Sequence, residues 1–250
     1  MKLSFSIPAY NEEEHIWRCL DSIFRELKGK EYQTEVIVVD NASTDRTAEI
    51  ANSYGGVKVV SESQKGLLFA RQRGYLSSTG DLLANIDGDT MLTPGWVEKV
   101  MEEFEKDPKL VALSGPYIYY DSPFYVRFLA KGLYSFAFLI HLTSILFTGR
   151  GTMLQGGNFI LRKGALDQIG GFNTEIPFYG EDTDIARRMS LVGKVKFSFR
   201  LTTLASGRRL MKEGVFTTGF RYAINHIWIL VFHRPFTVKY GDVRTPQKPS

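Results

Sequence analysis

Two aspartates separated by one glycine, Asp87-Gly88-Asp89, directly follow a strand-like apolar run, residues 81–86. A buried strand that ends in two carboxylates presents acceptor-only oxygens at the edge of a sheet, where a hard divalent cation can bind and bridge to phosphate oxygens. The same pattern also forms ordinary turns, because glycine and aspartate both favour them. Whether it marks a metal site therefore depends on the side chains that share this edge.

Polar side chains follow two further predicted strands. Residues 8–12 follow the first strand and residues 40–45 follow the second. Short apolar runs alternate with helical periodicity through the first half of the chain, which predicts strand-helix units around a largely parallel sheet. Because ligands bind outside the carboxyl ends of such strands, we expect these loops and residues 87–89 to meet at one crevice.

The apolar pattern of the first half predicts alternating strands and helices. Asn11 with Glu14 three residues later has the pattern of a capping box, so Asn11 is predicted to cap the first helix. No glycine triplet follows the first strand and no P-loop is present, which excludes the common dinucleotide and triphosphate motifs. The predicted strands are residues 3–7, 36–39, 57–60, 81–86 and 111–114, and the predicted helices are residues 16–27, 44–53, 66–77 and a helix opening at Pro94.

A cluster of acids, Glu181, Asp182 and Asp184, follows Gly180. Acids at a helix start complement the helix dipole, but three in four residues exceed that need. Asp184 and Arg188 are four residues apart and are expected to pair along the helix. Glu181 and Asp182 are then left to face the crevice.

Residues 132–149 are rich in Leu, Phe, Ile and Tyr and contain no Asp, Glu, Lys or Arg. The segment lies at the lower edge of the roughly 20 residues that cross a bilayer. We expect a helix that lies on a membrane or packs on the domain, with a buried core helix as the alternative. A second apolar run, residues 224–232, is too short to span. Together they indicate peripheral membrane contact, or pairing of two subunits as a homodimer.

The composition describes a globular protein with one large domain: 250 residues, 44% hydrophobic and 23% charged. The single cysteine, Cys19, excludes a disulfide framework and fits a reducing compartment. No signal peptide is evident in the first residues, so we expect a cytoplasmic location, at the inner face of the cell membrane. His226 and His233 lie beside apolar residues and are expected to be packing or surface residues.

The net charge of +4 is unevenly distributed. From Arg200 onward there are nine basic residues and two acidic ones. Such a segment suits phosphate groups or an anionic membrane, or is simply a solvated face. Nucleic acid is not expected as a partner, because no helix-turn-helix, zinc or aromatic RNA-binding motif accompanies the charge. Residues 244–250, polar and proline-containing, are expected to be disordered.

Five ordered motifs resemble those of the inverting glycosyltransferases of family 2, which have the GT-A fold. The resemblance covers about residues 3–195 and implies an α/β fold with a single Rossmann-like, mostly parallel sheet flanked by helices, followed by C-terminal amphipathic helical segments. It implies a catalytic domain over residues 1–200, with a nucleotide-binding half (1–115) and an acceptor half (116–200), and a basic extension over 201–250. The matching segments are residues 7–12, 38–45, 87–89, 156–158 and 180–182.

The same resemblance implies roles for individual residues. Asp89 is expected to coordinate Mn²⁺ or Mg²⁺ on the donor diphosphate, and Asp87 to bind the sugar or the metal. Asp182, in a pair with Glu181, is expected to be the general base. The residues implied in nucleotide recognition are Pro8, Tyr10, Glu12 and Asp40.

Further basic and small residues are candidates for contact with the phosphates or the acceptor. Lys65 or Arg71 is expected near the nucleotide, with a solvated helix face as the alternative. The Gln-x-x-Arg-Trp motif of processive members is absent, which favours addition of one sugar per encounter. Arg208 and Arg209 are its closest substitute and suit a diphosphate, or else lipid headgroups. Gly157 and Asn158, where small residues indicate close approach to the backbone, are expected at the acceptor or diphosphate.

The chemistry agrees with the implied roles. A bound Mn²⁺ or Mg²⁺ would stabilise the charge that grows on a diphosphate leaving group, and one ionised carboxylate suffices to accept the proton of an attacking hydroxyl. We therefore expect an inverting, metal-dependent transferase that moves a sugar from a nucleotide-sugar donor, most often UDP-linked in the family, to a lipid-linked or cell-envelope glycan. The alternatives are a nucleotidyltransferase of similar fold and an inactive sugar-nucleotide-binding module at a membrane.

Overall fold

The computed structural model describes residues 1–238 and 241. The predicted disorder of residues 244–250, and part of the basic segment, lie outside the described residues. The strands are β1 (Leu3–Ala9), β2 (Thr34–Asp40), β3 (Val57–Ser61), β4 (Leu82–Ile86), β5 (Thr90–Leu92), β6 (Leu110–Ser114), β7 (Tyr117–Tyr119), β8 (Asn158–Arg162), β9 (Lys194–Phe197) and β10 (Thr203–Ala205). The helices are α1 (Ile16–Leu27), α2 (Thr47–Asn52), α3 (Leu67–Ser77), α4 (Trp96–Lys106), α5 (Phe124–Thr148), α6 (Lys163–Gln168), α7 (Glu181–Met189), α8 (Arg208–Glu213) and α9 (Val215–Phe232).

A seven-stranded sheet with the order β3-β2-β1-β4-β8-β6-β9 forms the centre of the molecule. Its strands run parallel except β8, which is antiparallel to both β4 and β6. The mostly parallel sheet predicted from the alternating pattern is therefore confirmed. The carboxyl ends of β1 and β4, neighbours in this sheet, bring residues 10–12 and 87–89 to one edge.

Both faces of this sheet are buried, and β4 explains how. Leu82, Ala84 and Ile86 point to one face and join a core with α1 and α4, which includes Trp96. Leu83 points to the other face and packs in a second core that includes residues of α7. A strand that is covered on both sides reads as a continuous apolar run, which is why the pattern predicted β4 correctly.

A second, three-stranded sheet has the order β5-β10-β7 and was not predicted. Its strands are three residues each, too short for a period-2 pattern to stand out. The middle strand, β10, comes from residues 203–205, so the chain beyond residue 200 is part of the same fold. This small sheet follows Asp89 directly and carries Tyr117 and Tyr119 to the edge where β4 ends.

The predicted capping role of Asn11 was wrong. Helix α1 begins at Ile16, and the residue before it, His15, makes no side-chain cap. Asn11 has a positive φ of 50° and its side-chain oxygen accepts a 2.8 Å hydrogen bond from the Thr44 backbone. Asparagine tolerates this left-handed conformation better than most residues. Asn11 therefore ties the loop after β1 to the loop after β2.

Helices α5 and α9 pack against each other on the outside of the domain and expose many apolar side chains. In α5 only Val126, Ala130 and His141 are buried. Among the described residues, α5 is the one helix that is long and apolar enough to cross a membrane, by length and composition. An 18-residue stretch of this helix has a mean hydropathy of 1.4, and 11% of that stretch is buried. The alternative of a buried core helix over residues 132–149 is therefore not supported. The largest exposed side chains of the two helices are Phe124, Phe128, Leu146, Phe147, Phe216 and Phe220.

Candidate active site

A cavity of about 370 Å³ opens where β1 and β4 end, between the start of α7 and the helices α5, α8 and α9. It brings together most of the residues predicted from the sequence. Their positions follow from the topology, because neighbouring parallel strands end at one edge and the connection after Gly180 returns to it. The predicted site residues that line it are Pro8, Tyr10, Glu12, Arg71, Asp87, Asp89, Gly157, Glu181, Asp182, Arg208 and Arg209.

Two predicted site residues are not among the described residues that line the cavity. Asp40 ends β2 and accepts a 3.3 Å hydrogen bond from the Ser43 backbone. Asn158 is fully buried, and its side-chain amide bonds to the Trp96 indole at 3.0 Å and to the carbonyls of Gly115 and Leu201 at 2.9 and 2.8 Å. Asn158 thus joins the large sheet to the chain before β7 and before β10, which is a structural task.

Arg71 on α3 lies at the floor of the cavity and is fully buried. Its guanidinium donates to Glu181, to the Gly156 carbonyl, and to Asp87 at 3.3 Å. Burial disfavours the charged form, but Glu181 and Asp87 outweigh it and raise the pKa of Arg71, so the guanidinium stays charged. The buried ion pairs join the start of α7 to the end of β4. They engage the Arg71 guanidinium, which was predicted to lie near the nucleotide.

The close approach predicted at Gly156 and Gly157 is present, and protein side chains make it. A Cβ atom on Gly157 would lie 2.2 Å from the Asp87 carboxylate and from the Tyr117 hydroxyl. A Cβ on Gly156 would lie 2.9 Å from the Glu181 carboxylate. Any larger residue here would push the acidic side chains out of place, so the two glycines hold the floor of the cavity open.

Arg208, at the start of α8, contacts two acids from different strand ends. Its Nη2 lies 2.6 Å from Glu12 Oε1 and 2.9 Å from Asp89 Oδ2. The loop before it is held by Asp121, which accepts a 2.7 Å hydrogen bond from the Gly207 backbone. The arrangement places a guanidinium, a group able to bind phosphate with two hydrogen bonds, beside the predicted metal ligand Asp89.

Asp182 is the second residue of α7 and lines the cavity. Its Oδ1 accepts a 2.8 Å hydrogen bond from the Thr183 backbone. Burial raises the pKa of Asp182 above its ordinary value, and the Thr183 hydrogen bond opposes the change. A carboxylate whose pKa is moved toward neutral is a better proton acceptor at physiological pH, which suits a general base.

Asp184 does pair with Arg188, at 3.5 Å, as its spacing predicted, and also with Arg187 at 3.2 Å. Of the two acids expected to face the crevice, Glu181 is held in the buried pair with Arg71. Asp182 is therefore the better placed of the two to meet a substrate.

The opposite wall of the cavity carries Lys65 and Tyr10. Lys65 Nζ lies 3.7 Å from the centre of the Tyr10 ring, a cation–π contact. The loop that holds Lys65 is fixed by Asn41, whose amide donates to the carbonyls of Glu62 and Gln64 and accepts from Gly66. The Tyr10 ring is suited to stack on the base of a nucleotide, and the Lys65 ammonium group is suited to bind a phosphate.

Several residues of the cavity were missed by sequence reasoning. Tyr117 donates a 3.3 Å hydrogen bond to Asp87, and Tyr134 on α5 donates one of 2.7 Å to Gln155. Burial, with Asp87 and Asp89 nearby, raises the pKa of Tyr117 well above its usual range, so it stays a neutral donor. In the sequence, the spacing of two between Tyr117 and Tyr119 could have indicated a short strand with both tyrosines on one face. Nothing in the local pattern marked Thr183 or His226, which also line the cavity.

Asp87 and Asp89 fit a divalent cation of the hard, oxygen-binding kind. Among the described residues, no group of three or more His, Cys, Asp or Glu side chains is arranged to hold a metal ion. Mg²⁺ sites in enzymes that act on phosphates often use one or two carboxylates, with substrate phosphates completing the coordination.

The mostly parallel sheet flanked by helices places this chain in the GT-A class of α/β proteins, to which the solved glycosyltransferases of the same fold belong. This chain belongs to glycosyl transferase family 2, because the model of that family matches residues 4–170. The family and fold expected from the sequence motifs are both confirmed.

Among curated proteins, the chain is similar to the dolichol-phosphate mannosyltransferase of Pyrococcus furiosus, with 34% identity over 140 residues, 53% of this chain and 39% of that protein. It is also similar to the glycosyltransferase AglE of Haloferax volcanii, with 37% identity over 102 residues, 39% of this chain and 33% of that protein. The chain thus matches two-fifths or less of the length of these relatives.

Solved structures share the fold at low sequence identity. The mannosyltransferase PcManGT from Pyrobaculum calidifontis, in complex with GDP-Man and Mn²⁺, has a TM-score of 0.65 at 18% identity, covering 89% of this chain and 64% of that one. TarS of S. aureus (residues 1–349) in complex with UDP-GlcNAc has a TM-score of 0.62 at 18% identity, covering 82% of this chain and 58% of that one.

Proposed function

We propose that this chain transfers a sugar from a nucleotide-sugar donor to a hydroxyl of a lipid-linked or cell-envelope glycan, with inversion at the anomeric carbon. The observation that carries the proposal is one cavity with Asp87 and Asp89 at a strand end and Asp182 at a facing helix start. Asp87 and Asp89 are suited to bind a metal-bound diphosphate, and Asp182 is suited to act as the general base. Relatives and neighbours that bind GDP-Man or UDP-GlcNAc, or are named as mannosyltransferases, support the donor class.

The residues near β1 and β4 are assigned to the donor. Tyr10 is assigned to the nucleotide base and Lys65 to a phosphate, next to each other in the cavity. Arg208, beside Asp89, is assigned to the diphosphate. Asp89, with Asp87, would hold Mn²⁺ or Mg²⁺, and such an ion supplies Lewis-acid stabilisation of charge on the leaving diphosphate. Support for a metal comes from the carboxylate pair and from the neighbour solved with Mn²⁺.

The acceptor hydroxyl attacks from the side of α7. Asp182 accepts its proton while the new bond forms to the anomeric carbon and the bond to the diphosphate oxygen breaks. One base and one displacement give inversion of configuration. An inactive binding module would not need an aspartate placed as a base opposite the donor groups. A nucleotidyltransferase would need a basic loop after β1, where residues 11–14 are instead mainly acidic.

The donor assignment is tested by calorimetric titration of the full chain with UDP, GDP and dTDP, each with and without Mn²⁺. We expect one nucleotide to bind, and to bind more tightly with Mn²⁺. The Asp89→Ala variant is expected to lose the increase caused by Mn²⁺, because the metal loses its protein ligand. Asp107→Ala, at the end of α4 and outside the cavity, is the matched control. Equal affinity of wild type with and without Mn²⁺ would refute the metal, and no binding of any nucleotide would refute the assignment of this cavity to a nucleotide-sugar donor.

The exposed faces of α5 and α9 support a location at a membrane surface. Phe147 is 83% exposed and Phe216 is 79% exposed, and large contiguous apolar surfaces on soluble domains mark interaction sites. Basic residues flank α5, namely Arg127, Lys131 and Arg150, all exposed and suited to anionic headgroups. We propose that both helices lie in the interface of the cytoplasmic leaflet, where a lipid-linked acceptor would be at hand.

Binding to liposomes tests this surface. The protein is expected to co-sediment with anionic liposomes, and less so at high salt because the basic residues are screened. Phe147→Glu combined with Phe216→Glu is expected to weaken partitioning about tenfold or more, since each phenylalanine loses the gain of leaving water. Leu76→Glu, at a 64% exposed position on α3, should bind as wild type does. No liposome binding at low salt, with a dimer in solution, would show that the face pairs two copies instead.

A further inference from the structure

Helix α9 carries a row of polar side chains on the face that lines the cavity. Thr218, Tyr222 and His226 are spaced four residues apart, so they lie on one side of the helix. All three line the cavity, whereas the outward residues Phe216, Phe220 and others are apolar and exposed. We call Thr218, Tyr222 and His226 the polar ridge. Most of α9 is apolar, so a polar ridge on its inner side requires a reason.

Two atoms of the polar ridge have no hydrogen-bond partner among the residues that the structure describes. Thr218 is fully buried and its Oγ1 is unsatisfied. His226 Nε2 is also buried and unsatisfied. Native proteins satisfy nearly all buried polar groups, and an exception in a cavity points to a group supplied by a ligand.

The polar ridge is joined to the proposed base through Thr183. His226 Nδ1 lies 2.9 Å from Thr183 Oγ1, and Thr183 Oγ1 lies 3.4 Å from Asp182 Oδ1. A threonine hydroxyl has one proton to donate. When it donates to the ionised Asp182, Nδ1–H of His226 donates to Thr183, and Nε2 is left as an acceptor. A neutral nitrogen near the base is then available to accept a hydrogen bond from a hydroxyl group of a ligand.

The polar ridge carries no charge at physiological pH. Burial lowers the pKa of His226 to about 4, so the imidazole is neutral. Tyr222 is 41% exposed, and its phenol is neutral too because an ordinary tyrosine ionises only at about pH 10. A neutral surface of donors and acceptors binds hydroxyl groups, whereas phosphate binding draws on cationic groups.

The arginines that line the cavity are each engaged with carboxylates. Arg71 pairs with Glu181 and Asp87, and Arg208 pairs with Glu12 and Asp89. On the α9 side, Arg209 lies 2.8 Å from Glu213, which also pairs with Arg221. A phosphate at the acceptor end would have to displace such a pair, which a neutral sugar would not.

We propose that the polar ridge binds the hydroxyl groups of an uncharged acceptor, a sugar or an alcohol rather than a lipid phosphate, and that His226 positions the attacking hydroxyl beside Asp182. The inference rests on the proposed function for the base role of Asp182. The acceptor O–H bond breaks as its proton passes to the Asp182 carboxylate, the oxygen bonds to the anomeric carbon, and the diphosphate leaves with the electron pair. His226 Nε2 accepts a hydrogen bond from a neighbouring hydroxyl of the same acceptor, which leaves the proton of the attacking hydroxyl to Asp182, so His226 is a positioning residue.

Two probes of equal chain length test the class of acceptor: octyl β-glucoside and octyl phosphate, each below its micelle concentration. The full chain, labelled with nitrogen-15 in its histidines, reports binding through the imidazole signals. We expect the glucoside to shift the His226 Nε2 signal and octyl phosphate to leave it unchanged at the same concentration. A shift by phosphate alone, or by neither probe, would overturn the proposal.

Matched variants separate the polar ridge from contact of the octyl chain with the apolar helices. Thr218→Val and His226→Asn are each expected to weaken glucoside binding about tenfold, the effect of one lost hydrogen bond to a ligand. Thr217→Val and His233→Asn change the same residue types at exposed positions of this region and should bind as wild type does. Wild-type affinity in Thr218→Val and His226→Asn would refute the subsite.

Nucleotide titration of the same variants distinguishes a failure of the acceptor subsite from a failure of the proposed function. Thr218→Val and His226→Asn should bind the nucleotide with Mn²⁺ as wild type does, because the donor groups lie at β1 and β4. A chain that binds glucoside at the polar ridge but binds no nucleotide would remove the proposed transfer while leaving the subsite in place. A chain that binds nucleotide normally but no glucoside would remove the subsite alone.

Discussion

Replacing Asp182 with asparagine is expected to lower turnover by about 10²-fold or more while leaving nucleotide affinity unchanged. Asparagine keeps the size of the side chain but cannot accept the proton of the attacking hydroxyl, and a positioned base contributes typically 10²–10⁴-fold. Donor binding is expected to survive, because the donor groups come from the other side of the cavity. The measurement is steady-state transfer or donor hydrolysis, paired with calorimetric titration of the nucleotide.

The pH dependence gives the same prediction a second readout. The base acts only when ionised, so kcat/KM rises as the pH passes upward through the pKa of Asp182. Because burial raises this pKa, the rise is expected nearer to neutral pH than for an exposed aspartate. In Asp182→Asn this rise should disappear. Near-normal turnover with the rise intact would assign the base to another residue, with Glu181 the first to test.

Replacing Arg71 with methionine is expected to lower the free energy of unfolding by about 3–5 kcal/mol, the cost of leaving buried partners without their counter-charge. Glu181 and Asp87 would lose the cation that lies between them, and the Gly156 carbonyl would lose a donor. Equilibrium unfolding in urea measures the change. Methionine has a similar length, so the cavity left behind is small.

Arg73→Met is the matched control, because Arg73 lies on the same helix and is exposed. Its effect should stay within about 0.5 kcal/mol, as for most surface substitutions. If Arg71→Met unfolds like the control but weakens nucleotide binding, Arg71 contacts the donor directly, as the sequence alone suggested. If it lowers stability and Asp182→Asn does not, structural and chemical tasks are divided between neighbouring parts of the cavity.

Five strands of the large sheet, β1 to β4 and β6, could be predicted from the sequence, as could the polar loops after β1, β2 and β4. The run before Asp87 is continuous and apolar because both faces of β4 are covered, and such a run followed by Asp-Gly-Asp carries a local signal. The pairing of Asp184 with Arg188 followed from helical spacing alone. These predictions succeeded because each depends on residues close together in the chain.

Contacts with distant partners could not be predicted from the sequence, and the capping role of Asn11 was wrong for that reason. Asn11 has the local pattern of a helix cap, but the Thr44 backbone, 33 residues away, claims its side chain. Asn158 lies in a motif associated with the acceptor, yet Trp96, Gly115 and Leu201 use its amide. A polar side chain can form only a few hydrogen bonds, and the neighbouring sequence does not show which distant groups will be its partners.

By itself, the sequence determined the family and five strands of the large sheet, because these are carried by ordered motifs and local patterns of polarity, and it predicted that Asp87, Asp89 and Asp182 face one crevice. Only the tertiary structure decided which of those side chains stay available to a substrate. Burial and long-range pairing placed Glu181 and Arg71 in the framework, left Asp182 at the cavity, and brought the polar ridge of α9 beside it. The physical reason is that ion pairs and hydrogen bonds form between residues that are close in space, and Arg71 and Glu181 are 110 positions apart in the chain.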